Sequence, residues 1–459
     1  MMGKEGGIKL LGERNHILKS KNLLRRCDMR KAVILIAIFI FIGGILFNVP
    51  DSVAQKGKGK LLRLTFYYPV GVAGPLARVI GEITDKFNKE NEGKIEVVPV
   101  YSGDYDPTMQ KVLTAIMAGN PPDIFMVEIS ELPTLLAMDA VLPLDEYIKK
   151  IEKGYWEDFY APFRENAVIG GKIYGIPFQR STPVFYWNKE IFKAAGLPPD
   201  KPPQTWDELK DYAVKLTVRD PKAGDVKQWG VTISGGWNDW LFEAFVRQNG
   251  SWLISPDGLK ANFNSKEAIE ALDFWVELKH RLKVGPPHST WGSTPPDFVG
   301  GRTAMLYHST GILTFLKKSA KFDFGVAFMP KKKTFGAEVG GANLMIAKKI
   351  SKERQDAAWK YLEWMSSVKN TAEWSAASGY VAVRNSSYED PIMKEHVSKN
   401  PEYLVARDQL KYAYGKMMAK NFQKVREILK RQLDDAAAGK VAPAEAMGIA
   451  QKEIQAVIK

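Results

Sequence analysis

The chain has one cysteine, Cys27, among 459 residues. It lies ahead of the long apolar run of the N-terminus, so everything beyond that run is free of thiols. Disulfides and thiol chemistry are excluded there. Histidine is nearly as scarce, with five in all. His280, His288, His308 and His396 follow the leader and are spread widely, with no metal-ligand spacing between any two. The G-x-S-x-G elbow, the G-x-x-x-x-G-K-[ST] loop and a strand-placed G-x-G-x-x-G are also missing. His308 stands beside Ser309, but neighbours on a strand point to opposite faces, which argues against a base and nucleophile pair. No enzyme, metal or cofactor reading is therefore supported. Internal repeats and low-complexity stretches are absent as well.

What is present is a globular composition, 45% hydrophobic and 11% aromatic, in a chain long enough for two domains. Ala32–Phe47 is an unbroken apolar run preceded by Arg25, Arg26, Arg30 and Lys31 and followed by Ser52-Val53-Ala54. That is the order of a secretory signal peptide, with cleavage expected after Ala54. The run is slightly short for a membrane span, and an uncleaved anchor is the alternative. Met29 would be a more usual start. Cys27 precedes the run, so no lipoprotein anchor is expected. The formal charge is +13 over the whole chain. Residues 1–54 hold nine basic and four acidic side chains, leaving +8 for the exported part. A moderately basic exported protein fits an anionic small molecule or a membrane face better than nucleic acid.

Leu62–Tyr68 reads as a strand, Pro75–Asn91 as a helix with Leu76, Val79, Ile80, Ile83 and Phe87 on one face, and Lys94–Tyr101 as a second strand. Asp106–Ala118 is helical and Ile124–Val127 is a short buried strand ending in Glu128. This β-α-β-α-β order predicts an α/β lobe with parallel strands, whose ligands sit at the carboxyl ends of strands. Ile176–Lys189 places Arg180, Ser181 and Thr182 between two strand-like runs. Local sequence leaves open whether this is a buried polar turn or a crossover that offers polar groups to a ligand. Thr205 and Glu208 form a capping box. Trp240–Gln248 and Ser265–Leu282 read as helices, Ser293–Phe298 as a turn and Ala304–Tyr307 as a strand. From Lys352 onward the pattern is nearly all helical, including Pro401–Ala413.

Several short motifs recur in a telling order: G-N-P-P-D at Gly119–Asp123, S-T-P-V-F-Y-W-N-K at Ser181–Lys189, P-x-T-W-D-E-L at Pro203–Leu209, F-x-x-G-x-x-A-M at Phe298–Met305, G-G-A at Gly340–Ala342 and S-G-Y at Ser378–Tyr380. Each is weak alone. Together, across residues 62–459, they resemble the extracellular solute-binding proteins of ABC importers, in the branch that takes sugars and glycerol phosphates. The resemblance implies a type II two-lobe periplasmic binding fold, with parallel-rich sheets flanked by helices and hinge crossovers between the lobes. It implies an N-terminal lobe of residues 55–182 plus 304–350 and a C-terminal lobe of residues 183–303 plus 351–459. Ile176–Lys189 would be the first crossover, Thr303–Ser309 the return and Lys349–Lys352 the last crossing.

The sequence is most similar to the binders of glycerol-3-phosphate and glycerophosphodiesters within that family. Carried over one at a time, the implied ligand residues are Tyr105, Glu128, Ser181, Trp237, Ser309, Gly341, Tyr380 and Arg426. A Trp-His pair usual at the end of the first strand is replaced by Tyr67-Tyr68, and a neutral polar residue usual before Ser181 is replaced by Arg180. Tyr68 and Arg180 are thus possible additions to the site. The chemistry of the set is coherent. Arg426 would offer a planar, permanently charged fork to a phosphate. Ser181, Ser309 and Tyr380 would donate hydroxyls, and Gly341 would let a backbone N–H approach closely. Glu128 would accept from ligand hydroxyls, while Trp237 and Tyr105 would cover C–H groups. Read alone, Arg426 on a helix is a solvated or salt-bridged residue and Trp237 is core packing. The expected partners are an anionic polyol or sugar and the permease subunits with their ATPase, for a monomer that is not an enzyme. A neutral sugar or oligosaccharide is the alternative ligand.

Overall fold

The computed structural model describes residues 61–70 and 75–459. The leader and its cleavage site lie outside the described residues. In β1 (Leu62–Tyr68), Leu64, Phe66 and Tyr68 alternate into the interior. Helix Leu76–Glu90 buries the five apolar residues that its spacing placed on one face. β2 (Ile95–Tyr101), helix Tyr105–Met117 and the fully buried β3 (Ile124–Glu128) complete the first lobe pattern. β2 and β3 both run parallel to β1.

A hairpin of β4 (Val168–Ile169) and β5 (Lys172–Ile173) leads to β6 (Ile176–Ser181), and Thr182 alone separates β6 from β7 (Pro183–Asn188). These two consecutive strands belong to different sheets. Ile176–Lys189 is therefore a crossover, and every residue of both strands is buried. β8 (Val218–Arg219), β9 (Val226–Ile233), β10 (Thr303–Ser309) and β11 (Phe324–Ala327) follow, then β12 (Ala337–Glu338), β13 (Gly340–Ile346) and β14 (Ala413–Tyr414). One five-stranded sheet has the order β2-β1-β3-β13-β6 and the other β11-β7-β10-β9-β8. One apolar core gathers Phe66, Ile80, Phe178 and Tyr361 on the first sheet. A second gathers Phe185, Trp206, Phe245 and Leu429 on the other.

Several expectations need correction. The sheets are mixed rather than parallel-rich, because β13 runs antiparallel to both β3 and β6, and β7 runs antiparallel to β10 and β11. Parallel neighbours need a helical crossover between them. β13 arrives directly from the other sheet and runs back. The expected return at Thr303–Ser309 is instead an internal strand of the second sheet, and the chain comes back between β11 and β13. Lys349–Lys352 is no crossing. Ser351 caps helix Lys352–Met365, which packs on helix Leu76–Glu90, and Arg354 grips Asp123 through two bonds of 2.6 Å. Helix Val368–Ser378 packs on the same side, so only Phe422–Ala437 and Pro443–Ile458 join the second core. The expected turn at Ser293–Phe298 holds a short helix, Thr294–Val299. Pro401–Ala413 is broken into short helical turns before β14. In the Thr205 capping box, Glu208 accepts from Gln204 N rather than from the cap itself.

Candidate functional site

The seam between the two sheets is made of strand ends. β6 ends at Ser181 and β10 at Ser309, and β13 begins at Gly340, which lies opposite Ser181 in register. β3 ends at Glu128. Thr310 N donates to Thr182 O at 3.0 Å and ties the seam together. Ser181, Ser309, Gly341 and Glu128 thus converge because four strands stop at one place.

Helices supply the rest. Asp104 caps helix Tyr105–Met117, accepting from Tyr105 N at 2.7 Å, which sets the Tyr105 ring at the seam. Its hydroxyl accepts from Gln179 Nε2 at 2.7 Å, and its ring meets Trp237 edge to face at 5.4 Å. Gly379 ends helix Val368–Ser378 in the left-handed conformation and turns Tyr380 inward, where it stacks on Trp374. Burial raises the Tyr105 and Tyr380 hydroxyls well above the ordinary tyrosine range, so both are neutral donors.

Tyr105, Glu128, Ser181, Trp237, Ser309, Gly341 and Tyr380 line one cavity, a narrow slot of about 30 Å³. The other three named residues do not. Tyr68 donates to Ala77 O at 3.2 Å within the first core. Arg180 points to the opposite face of β6 from Gln179 and Ser181, donates to Phe163 O at 3.0 Å and lies over the Phe163 ring. Burial pulls its guanidinium down to about 9. Arg426 stands behind the wall. It pairs with Asp106 and covers the Trp237 ring with its guanidinium 4.3 Å from the centroid.

The cation on the wall is Lys416, which sequence reasoning missed together with Trp240, Trp291 and Gly340. Lys416 Nζ lies 3.2 Å from Glu128 and 3.3 Å from Asp239, with all three side chains buried. Burial opposes its charge, but the two carboxylates outweigh that and raise its pKa. Glu128 belongs to the first sheet, and Asp239 opens helix Asn238–Gln248 of the second core. Glu243, one turn on, accepts from Met417 N at 2.7 Å, and burial pushes its carboxyl up to about 7. Glu131 is pushed up to about 8 by burial and by Glu128. Gly340 belongs to the G-G-A motif and could have been read from it, and Trp240 stands three residues after Trp237. Lys416 and Trp291 sit in no motif.

His308 gives the site no base. Burial pulls its imidazole down to about 3, its Nδ1 accepts from Ser309 N at 2.8 Å, and Trp291 covers its ring at 3.8 Å. Among the described residues no group of three His, Cys, Asp or Glu side chains is placed to hold a metal ion. The seam offers neutral hydroxyls, a backbone glycine strip, flat aromatic faces and one internally paired ammonium. That is the chemistry of binding.

Comparison with known proteins agrees. Residues 82–403 match the family model for bacterial extracellular solute-binding proteins. The chain is 30% identical over 402 residues to the sn-glycerol-3-phosphate-binding periplasmic protein UgpB of Salmonella typhimurium, covering 82% of this chain and 88% of that one. Its fold is similar to UgpB from Mycobacterium tuberculosis in complex with glycerophosphocholine, with a TM-score of 0.76 at 24% identity over 87% of this chain and 98% of that one. It is also similar to the cyclic alpha-maltosyl-1,6-maltose binding protein from Arthrobacter globiformis, with a TM-score of 0.73 at 22% identity over 87% and 99%. The chain belongs to the bacterial extracellular solute-binding protein family, with the two-lobed type II fold, and is a solute-binding component of an ABC importer rather than an enzyme.

Proposed function

We propose that this protein captures a glycerol-phosphate-type ligand, glycerol-3-phosphate or a glycerophosphodiester, in the slot at the seam and delivers it to the permease subunits. The observation that carries the reading is the convergence of Ser181, Ser309, Tyr380 and the Gly341 strip beside the Lys416 ammonium, all on one narrow cavity between two sheets. Hydroxyls and an ammonium suit phosphate oxygens. Glu128 remains an acceptor for the glycerol hydroxyls, and the tryptophans cover its C–H edge. The 30% identity to a glycerol-3-phosphate-binding protein supports the same class. In this reading β1–β6, the β12–β13 region and the chain from Lys352 through Val383 form one lobe, and the second sheet with helices Phe422–Ala437 and Pro443–Ile458 forms the other. Capture is lobe closure, because only the closed form lets both lobes touch the ligand. The leader is removed after Ala54, and the exported chain works as a monomer.

One observation favours a neutral sugar as the second reading. Lys416 is already compensated by Glu128 and Asp239, and Arg426 by Asp106, so the wall carries no spare positive charge. Calorimetric titration with glycerol-3-phosphate, glycerophosphocholine and maltose separates the two. Binding of either phosphate compound with maltose inert is the expected result. Maltose binding with both phosphate compounds inert would overturn the phosphate reading and leave the sugar.

A further inference from the structure

A second cavity lies behind the tryptophan wall of the first. It measures about 390 Å³ and sits wholly among elements of the second core. Its floor is apolar, made by Val231 and Ile233 of β9, Trp275 and Leu278, and Leu433 of helix Phe422–Ala437. The partition between the two cavities is backbone. Gly235 and Gly236 face the rear cavity while the next residue, Trp237, lines the front one. Ser289 and Thr290 face the rear while Trp291 lines the front. A Cβ on Gly235 would lie 2.2 Å from Ser289 O, and one on Gly236 would lie 3.3 Å from Trp291 Cβ. Two strips therefore meet with no room for a side chain, and the glycines keep the cavities separate but adjacent.

The rear cavity combines an aromatic wall with a cation at its rim. Trp275 is 6% exposed and packs edge to face on Phe242 and Phe245, so it gives the cavity a rigid apolar wall. Lys279, at the rim, pairs with no carboxylate among the described residues. Burial lowers its pKa, and Asp434 acts on it only through space. The two acids at the cavity differ in how they are held. Asp434 accepts from Asn238 Nδ2 at 2.9 Å, and Asp435 pairs with Lys440 at 2.9 Å. An apolar floor with an ammonium at its rim that makes no ion pair among the described residues calls for an apolar body bearing negative charge.

We propose that this rear cavity is a second binding site, taking a small amphipathic carboxylate whose apolar body sits on Ile233, Trp275 and Leu433 and whose carboxylate meets Lys279. The proposal goes beyond the function given above and does not rest on the identity of the front ligand. The probe is 1-naphthoate, titrated into the full exported chain by calorimetry. Saturable binding at one site is expected, at least fivefold weaker in Lys279→Met and lost in Ala437→Trp, whose indole would occupy the cavity. Far-UV circular dichroism and thermal melting establish that each variant is folded. If Ala437→Trp does not fold, Lys279→Met decides alone. Absence of naphthoate binding by the wild type, or unchanged binding by a folded variant, would overturn the assignment.

Discussion

The Lys416 ammonium stands 3.2 Å from the Glu128 carboxylate, and the two come from segments 288 residues apart. The same ammonium reaches Asp239 on the opposite side of the seam. One side chain therefore holds together a strand end of the first sheet and a helix start of the second core. Its segment is pinned on both sides. Gly415 N donates to Glu165 at 2.6 Å, Lys416 N to Asn166 at 2.9 Å and Met417 N to Glu243 at 2.7 Å.

Lys416→Met should destabilise the fold by about 3–5 kcal/mol, because it strands two buried carboxylates without a counter-charge. Part of that loss should return when Glu128→Gln or Asp239→Asn is added, since the stranded charge is then removed. Urea unfolding of the single and double variants measures the coupling. Additive effects would show that the Lys416 contacts carry no specific energy.

The buried acids predict a pH dependence. Glu131 is raised to about 8 and Glu243 to about 7, both by burial first. Glu131 faces Glu128, Asp106, Arg426 and Lys416, and Glu243 faces Arg247, Lys416 and Asp239. Below pH 7 both are neutral in the folded protein. Raising the pH to 9 adds two negative charges beside the slot. Affinity for an anionic ligand should fall by about fivefold to tenfold over that range, on the order of 1 kcal/mol, while a neutral ligand should be little affected. Their folded pKa values lie above the unfolded ones, so their stabilising protonation is complete in acid and lost as pH rises through 7–8. Calorimetry at pH 6 and 9 with one charged and one neutral compound checks the sign.

Local chemistry made much of this legible. The first helix and the three strands of the first lobe are written in apolar period and turn residues, while the crossover at Ile176–Lys189 was legible only through the family resemblance. Ser181, Ser309, Gly341 and Tyr380, carried over from the family resemblance, stand at element ends and line the same cavity. Lys416 was not legible. Its role depends on Glu128 and Asp239, which only tertiary packing brings to it, and it stands in an irregular stretch between β14 and a helix. Arg180 failed differently. Alternation along β6 puts it on the face opposite Ser181, so the substitution that looked like a ligand contact is a packing feature against Phe163.

Arg426 should act through Trp237. Its guanidinium covers that ring and pairs with half-exposed Asp106, so removal frees the indole and leaves buried Asp239 and Glu128 to Lys416 alone. Arg426→Ala should weaken binding about tenfold, the scale of a desolvated cation–π contact, and by a similar factor for charged and neutral ligands. Arg426→Lys should recover part of it. Titration of both variants with the compounds that bind the wild type decides the matter. A loss confined to phosphate compounds would place Arg426 on the ligand itself.

Gly341 invites a sharper test, since two reasons for its glycine compete. The ligand reading asks only for close approach of a backbone N–H. The fold asks for more: φ is +106°, and a Cβ there would lie 1.7 Å from the Gln179 carbonyl oxygen on the neighbouring strand. No rotamer relieves a clash with backbone, and alanine rarely adopts that φ. Gly341→Ala should therefore cost more than about 2 kcal/mol of stability whether or not ligand is present. Gly340→Ala provides the contrast. Its Cβ would meet the Trp240 ring edge at 2.8 Å and Ser181 Oγ at 3.2 Å, both side chains on the cavity wall. That variant should lose affinity more than stability, because Trp240 and Ser181 must shift while the strand stays in register. Thermal melts paired with titrations separate the two glycines. A Gly341→Ala protein that melts with the wild type would show that the strand accommodates a side chain after all.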